Sequence, residues 1–228
     1  MNVAIILAAG NGTRLSNNIK KQFIKIHDKQ LFLFSFDSFC SSNIDKILIV
    51  SSKEDINYVR SLVSSNEKFL DVIAGGETRQ QSVRNALDYL KNILADDDVI
   101  LIHDAARPLI KVPLINEVLN KTIEYDCCSL ILPIKDTIIS LSNNNYESTL
   151  ERDKLASVQT PQGFKFKIIY EAHQKAIHSS ATDDAQLVKS LGLNIHLIKG
   201  DEQNFKITTN EDLNYFEYIL GCDDYGRK

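Results

Sequence analysis

At 228 residues and 43% hydrophobic, the chain holds apolar residues enough for a core of its own and fits one domain, or one domain with an appendage. A formal net charge of −4 argues against a general nucleic-acid binder, which carries a basic excess or a dense basic stripe. No apolar stretch approaches the roughly 18 residues that a membrane span needs, and the apolar start is too short and wrongly flanked for a secretory signal. A cytoplasmic protein without membrane contact is therefore expected.

Short β-branched runs at residues 3–7, 47–50, 72–74, 99–102 and 130–132 predict strands buried on both faces. Between them lie helical patterns, clearest where Val83, Leu87, Leu90 and Leu94 recur at helix spacing. Alternating strands and helices imply right-handed crossovers, so the fold class is α/β: a mostly parallel twisted sheet with helices on both faces. The stretch 136–159 departs from the alternation, with a polar turn at 143–145 between two β-prone pieces. It predicts a protruding β-hairpin arm on a single domain spanning 1–228. An arm with little core of its own suits a homodimer contact; a mobile surface hairpin is the alternative. Helical patterns resume at 165–177, 183–191 and 210–220, and the acidic tail beyond them reads as frayed. Cys40, Cys127, Cys128 and Cys222 show no CxxC spacing, and the adjacent pair should face opposite sides of a strand, which supports neither a zinc site nor a disulfide framework.

The first strand runs directly into "LAAGNGTR" (7–14), where an open parallel sheet binds its ligands. Gly10 and Gly12 permit a sharp turn that brings N–H groups to an anion, and Ala8 and Ala9 leave space beside the strand end. Leu15 stands where the dinucleotide fingerprint needs its third glycine, and the P-loop pattern is absent. What remains is a glycine loop ending in Thr13 and Arg14, with "KKQF" (20–23) soon after, which brings positive charge toward phosphates. A second strand ends in "HDAARP" (103–108), where Asp104 can hold magnesium and Arg107 adds to the field. An ordinary tight turn and a strand-end cap are the plain readings of the two motifs taken singly.

"LAAGNGTR", "KKQF", "GGETRQQSV", "HDAARP", "KDT", "QTPQGF", "TDDA" and "NFKIT" occur in an order that resembles the sugar-phosphate cytidylyltransferases of the nucleotidyltransferase, glycosyltransferase A-like, fold. The narrower resemblance, carried by "HDAARP" with "ERDK" and "QTPQ", is to the 2-C-methyl-D-erythritol 4-phosphate cytidylyltransferases of non-mevalonate isoprenoid biosynthesis. That resemblance implies attack of the acceptor's phosphate on the α-phosphorus of CTP, release of pyrophosphate, and a divalent cation such as magnesium. It implies that Arg14 and Lys21 are catalytic, with Lys20 the competing candidate for the latter. Ala8, Ala9, Gly10, Gly12, Thr13, Gly76, Glu77, Ser82, Asp104 and Ala105 would bind CTP, and Asp104 would be the metal ligand. Arg107, Thr137, Arg152, Thr160, Thr182 and Lys206 would bind the acceptor, with Arg152 exchanged between subunits on the arm.

Many relatives carry Asp where Glu77 stands. Arg79 reads as a surface helix residue, Asp201, Glu202 and Asn204 as loop residues, and no histidine is given a role beyond His103 shaping its strand end. Three readings compete with the main one. A ribitol 5-phosphate cytidylyltransferase shares most motifs, but tends to carry "LAGG". A non-catalytic nucleotide sensor needs no residues at both leaving group and acceptor. A nicotinamide-dependent dehydrogenase is opposed by Leu15.

Overall fold

Strand and helix alternate through much of the chain, as its apolar patterning requires. The computed structural model describes residues 1–10, 19–176 and 181–225, with side chains to 222. Gly12, Thr13 and Arg14 lie outside the described residues. In chain order the elements are β1 (Asn2–Ala8), β2 (Lys25–Ile26), β3 (Lys29–Gln30), α1 (Leu31–Cys40), β4 (Lys46–Ser51), α2 (Ile56–Val63), β5 (Phe69–Ala74), α3 (Arg79–Leu90), β6 (Val99–Asp104), α4 (Val112–Tyr125), β7 (Cys127–Pro133), β8 (Ile139–Ser142), β9 (Asn145–Thr149), β10 (Ala156–Lys165), α5 (Phe166–Lys175), α6 (Asp184–Ser190), β11 (His196–Lys199) and α7 (Asn210–Tyr225).

Seven strands form the central sheet in the order β11-β7-β10-β6-β1-β4-β5. Every neighbouring pair is parallel except those of β10, which runs antiparallel to both β6 and β7. Side chains alternate across a strand, so β1 feeds two cores. Ala4 and Ile6 pack with Phe36 and Phe39 of α1, Val59 of α2 and Val118 of α4 on one face. Val3 and Ile5 pack with Val83 and Leu87 of α3, Ile169 of α5 and Val188 of α6 on the other. All six residues of β6 are buried, which is why it reads as a continuous apolar run ending abruptly in His103 and Asp104. Helix α7 closes a third, smaller cluster, in which Phe216 meets Ile26, Leu31 and Ile207.

Helix starts follow local chemistry. Thr78 caps α3 by accepting the Gln81 N–H, and Asp183 caps α6 by accepting the Gln186 N–H. Thr209 and Asp212 exchange reciprocal side-chain bonds at the start of α7.

Three sequence expectations are corrected. β10 and β11 belong to the central sheet although the sequence predicts neither, because Gln159 to Gly163 lacks an apolar run and β11 is a four-residue edge strand. The arm is consequently shorter than 136–159: its hairpin is β8 and β9 alone, and Ala156 to Gln159 already pair with β7. Its tight turn places Asn143 and Asn144 at φ of 49° and 64°, left-handed values that asparagine tolerates and a two-residue hairpin needs. Finally, α7 extends to Tyr225, past the point where fraying is expected. Cys127 and Cys128 do enter opposite cores. Among the described residues no helix is long and apolar enough to cross a membrane.

Candidate active site

The tips of β1 and β6 lie side by side: Leu7 is in register with Asp104, and the Ala105 N–H donates to the Leu7 carbonyl at 3.1 Å. A cleft of about 720 Å³ opens above them. Ala8, Ala9 and Gly10 form one wall, and Asp104 and Ala105 the floor. Gly10 itself adopts no left-handed φ, and among the described residues a Cβ there would meet nothing within 4 Å; the turn expected over Gly10 and Gly12 runs outside the described residues. Glycine at this position leaves open space for a ligand rather than relieving strain.

Gly75, which the sequence reading passes over, is the tighter position. A Cβ there would sit 2.6 Å from the Ala9 Cβ and 2.8 Å from Ser82 Oγ, so the loop after β5 lies directly against the loop after β1. Gly76, Glu77 and Ser82 also line the cleft. Ser82 Oγ accepts the Gly76 N–H at 3.1 Å and donates to the Thr78 carbonyl at 2.9 Å, so the hydroxyl braces this loop. Glu77 is exposed, and its N–H donates to Gln81 Oε1.

Asp104 is the electrostatic centre. Arg79 Nε donates to Oδ1 at 3.1 Å and Lys206 Nζ to Oδ2 at 2.7 Å. Burial by itself pushes this carboxyl's pKa up, but Arg79, Lys206 and Arg107 outweigh that and hold it well below the usual carboxylate range. Arg79 is thus no surface helix residue. It stands at the first turn of α3 with its guanidinium in the cleft lining and its Nη1 2.7 Å from Asp184 Oδ2. Burial works against its charge, and Asp184 and Asp104 more than offset it, raising its pKa.

Beneath Asp104 a hydrogen-bonded chain fixes the strand end. The Asp104 N–H donates to Thr160 Oγ1, Thr160 donates to His103 Nδ1, and His103 Nε2–H donates to the Arg107 carbonyl, each at 3.1 Å. The Thr160 hydroxyl, expected to contact the acceptor, is engaged in this chain. Burial holds His103 at about 4, so the ring is neutral near pH 7.

The remaining expected residues divide. Lys21 lines the cleft and donates from Nζ to the Ile207 carbonyl at 2.7 Å, whereas Lys20 turns to Ser52, Glu54 and Asp55. Lys206 lines the cleft beside them. Arg107 donates to the Asn204 and Val158 carbonyls and so ties the 201–206 loop to β10. Thr137 and Arg152 line a separate hollow at the root of the arm, and Arg152 donates to the Lys135 carbonyl. Thr182 is exposed just before α6. Asp201 and Glu202 pair with Lys111 and Lys135, and Asn204 is buried with its amide on the Thr160 carbonyl. Within one chain, then, the structure brings Ala8 to Gly10, Lys21, Gly76 to Ser82, Asp104 and Lys206 together, and leaves Thr137 and Arg152 apart. Such a cleft, with mobile ammonium groups and a fixed guanidinium around one carboxylate, suits a polyphosphate with a bound cation.

The profile of the 2-C-methyl-D-erythritol 4-phosphate cytidylyltransferase family matches residues 2–222. The chain belongs to this family. Among its relatives, the 2-C-methyl-D-erythritol 4-phosphate cytidylyltransferase of Clostridium tetani is 40% identical over 225 residues, covering 96% of this chain and 90% of that protein. The Thermotoga neapolitana cytidylyltransferase is 40% identical over 214 residues, covering 93% and 94%. The fold of this family member matches a solved 4-diphosphocytidyl-2C-methyl-D-erythritol synthase with a TM-score of 0.82 at 27% identity, over 96% of this chain and 98% of the other. The cytidylyltransferase of Thermus thermophilus superposes with a TM-score of 0.79, also at 27% identity, over 96% and 99%.

Proposed function

We infer that the protein transfers CMP from CTP to 2-C-methyl-D-erythritol 4-phosphate, releasing pyrophosphate and forming 4-diphosphocytidyl-2-C-methyl-D-erythritol, a step of non-mevalonate isoprenoid biosynthesis. The observation that carries this reading is the meeting of Ala8 to Gly10, Lys21, Asp104 and Lys206 in one cleft, within a chain whose residues 2–222 match the family. An oxygen of the acceptor's phosphate attacks the α-phosphorus of CTP. The bond from that phosphorus to the α–β bridging oxygen breaks, and its electron pair leaves with pyrophosphate. No side-chain nucleophile is needed, because such transfers ask the protein mainly to align two anions and offset growing charge.

In this reading, the backbone beside Ala8, Ala9 and Gly10, continued by Gly12 and Thr13, cradles the triphosphate. Lys21, with Arg14, offsets charge on the departing pyrophosphate. Gly76, Glu77 and Ser82 form the pyrimidine wall, where the loop backbone does the reading, since the Ser82 hydroxyl is already engaged. Ala105 packs beside the nucleotide. Lys206 aims the acceptor phosphate. Asp104 suits the single-carboxylate mode in which magnesium takes its other ligands from phosphates and water, since it is held ionised at the cleft floor. A divalent cation bound there would neutralise phosphate charge and orient the reacting groups.

The acceptor side is completed by a second copy of the chain. The β8–β9 arm exposes Leu141 and Tyr146, each 63% accessible, on a hairpin with almost no core, and Arg152 and Thr137 sit at its root. A homodimer through the arm would bring Arg152 and Thr137 to the partner's cleft, with Arg107, Thr160 and Thr182 shaping the acceptor side of each body. A reducing cytoplasm suits the four free cysteines. The test is to incubate the purified protein with CTP, magnesium and one polyol phosphate at a time while following pyrophosphate release. Turnover with 2-C-methyl-D-erythritol 4-phosphate is expected, and turnover with ribitol 5-phosphate alone would overturn the acceptor assignment.

A further inference from the structure

Behind the cleft floor runs a buried polar chain that the reaction scheme above does not use. Asp184, the first residue of α6, is 1% exposed, yet its carboxylate is fully engaged. Oδ2 accepts from Arg79 Nη1 at 2.7 Å, and Oδ1 accepts from His173 Nε2 at 3.0 Å. The Asp184 N–H donates to Gln162 Oε1 at 3.2 Å, and Gln162 Nε2 donates to Ser129 Oγ at 3.0 Å, so the α6 start is bolted to β10 and β7. His173, on α5, is as buried as Asp184.

An arginine in the first turn of a helix faces the positive end of the helix dipole. Arg79 therefore needs carboxylates to hold it, and Asp104 alone would be a poor sole anchor. Asp104 is also the group a bound cation and Lys206 draw on, so any ligand that reorients it would release Arg79. With Asp184 on its other nitrogen, the guanidinium stays in the cleft lining whichever way Asp104 turns. Planar, paired donors make arginine suited to such bridging between two fixed carboxylates. The bridge joins α3 to α5 and α6, which lie far from it in sequence, at a point beside the cleft.

We propose that Asp184 and His173 are positioning residues for the transfer reaction: they fix the Arg79 guanidinium, which in turn sets the orientation of the Asp104 carboxylate. This inference rests on the reading of the cleft as the cytidylyl-transfer site. Neither Asp184 nor His173 touches substrate. His173 orients the carboxylate by donating to it, and Asp184 carries the negative charge that keeps Arg79 in place.

The experiment is a double-mutant cycle with Arg79→Gln, Asp184→Asn and the double variant, each checked for folding by thermal melting. Displacement of a group that aligns reacting atoms costs about 100-fold in turnover. Asp184→Asn is expected to lower kcat by about that factor while the KM for CTP stays within about threefold of the native value. The double variant is expected to be no slower than Arg79→Gln alone, because the effect of Asp184 passes through Arg79. Native kcat in folded Asp184→Asn, or a double variant showing the product of the two single losses, would overturn the proposal. Should Asp184→Asn not fold, Asp184→Glu keeps the charge and shifts the carboxylate by one methylene. It is expected to lose about 10-fold in kcat, and a native value contradicts the proposal. Nitrogen-15 NMR of the ligand-free protein separates this inference from the reading it rests on. A sharp, slowly exchanging Arg79 Nη1–H signal, from the proton donated to Asp184, is expected in the native protein and lost in Asp184→Asn, whether or not the native protein transfers CMP. Its absence from the native spectrum would overturn the positioning role by itself.

Discussion

Lys206 and Arg79 grip opposite oxygens of Asp104, with Lys206 Nζ 2.7 Å from Oδ2 and Arg79 Nε 3.1 Å from Oδ1. One carboxylate thereby organises side chains from β6, α3 and the segment before α7 into a single floor. Asp104→Asn keeps the shape and removes the charge. Turnover should fall by roughly 100 to 1000-fold, the range for removing one preorganised electrostatic group. Steady-state kinetics on a variant with a native circular-dichroism spectrum checks this, and a loss under about tenfold would mean that the carboxylate does not organise the site.

Acid sensitivity follows from His103. Burial holds this ring at about 4, below its ordinary 6.5. Between those values the unfolded chain takes up a proton that the folded chain refuses, so stability falls as pH drops from 6.5 toward 4. The contribution is on the order of a few kcal/mol, at about 1.4 kcal/mol per pKa unit. Asp104 and Asp184 act in a different window: their pKa values are lowered in the folded state, so the stability they add is present above the ordinary 3.8 and is lost only as pH falls below it. Melting midpoints of native protein and His103→Asn, measured from about pH 7.5 to about 4.5, should show a flatter profile for the variant. Parallel profiles would assign the acid sensitivity elsewhere.

Gly75→Ala tests the close approach of the two loops. Its new methyl group would meet Ala9 Cβ and Ser82 Oγ at 2.6 and 2.8 Å, so the loops must part. Overpacking of this kind costs about 1–3 kcal/mol, readable by urea denaturation. Because Ala9 and Ser82 both line the cleft, the KM for CTP should rise as well. Gly10→Ala meets nothing among the described residues, so it should leave stability unchanged and weaken CTP alone.

The proposed exchange of the arm between subunits predicts complementation. Under it, Arg152→Ala removes the residue a chain would lend to its partner, whereas Lys21→Ala removes one that a chain would keep. A heterodimer of the two variants contains one body with native Lys21 facing a native Arg152. Mixing the two weakly active proteins after mild dissociation should therefore restore activity, and a mixture no better than the sum of its parts would place Arg152 in its own chain's site or in none.

Much of this architecture was legible because buried parallel strands announce themselves. The apolar runs of β1, β4 and β6 need no tertiary information, and their abrupt ends in Ala8–Ala9 and His103–Asp104 mark the ligand edge of the sheet. β10 was not legible in the same way. Its Gln159, Thr160 and Gln162 are polar yet buried, since each is satisfied by partners far away in sequence, on Asp201, Asp104, Ser129 and Asp184. Arg79 and His173 were missed for the same reason. Nothing near either residue in the chain distinguishes a solvated side chain from one end of a buried bridge, and only the packing of α3, α5 and α6 reveals Asp184 between them. Gly75 was overlooked beside Gly76 because the approach that demands it comes from Ala9, distant in sequence.

Phosphorus-31 NMR of a reaction containing the protein, CTP, magnesium and 2-C-methyl-D-erythritol 4-phosphate tests the central claim most directly. The account predicts equal amounts of pyrophosphate and of one new diphosphate-bridged product, with the acceptor's monophosphate signal lost in step. CTP that stays intact, or that yields CMP while the acceptor signal persists, would contradict it.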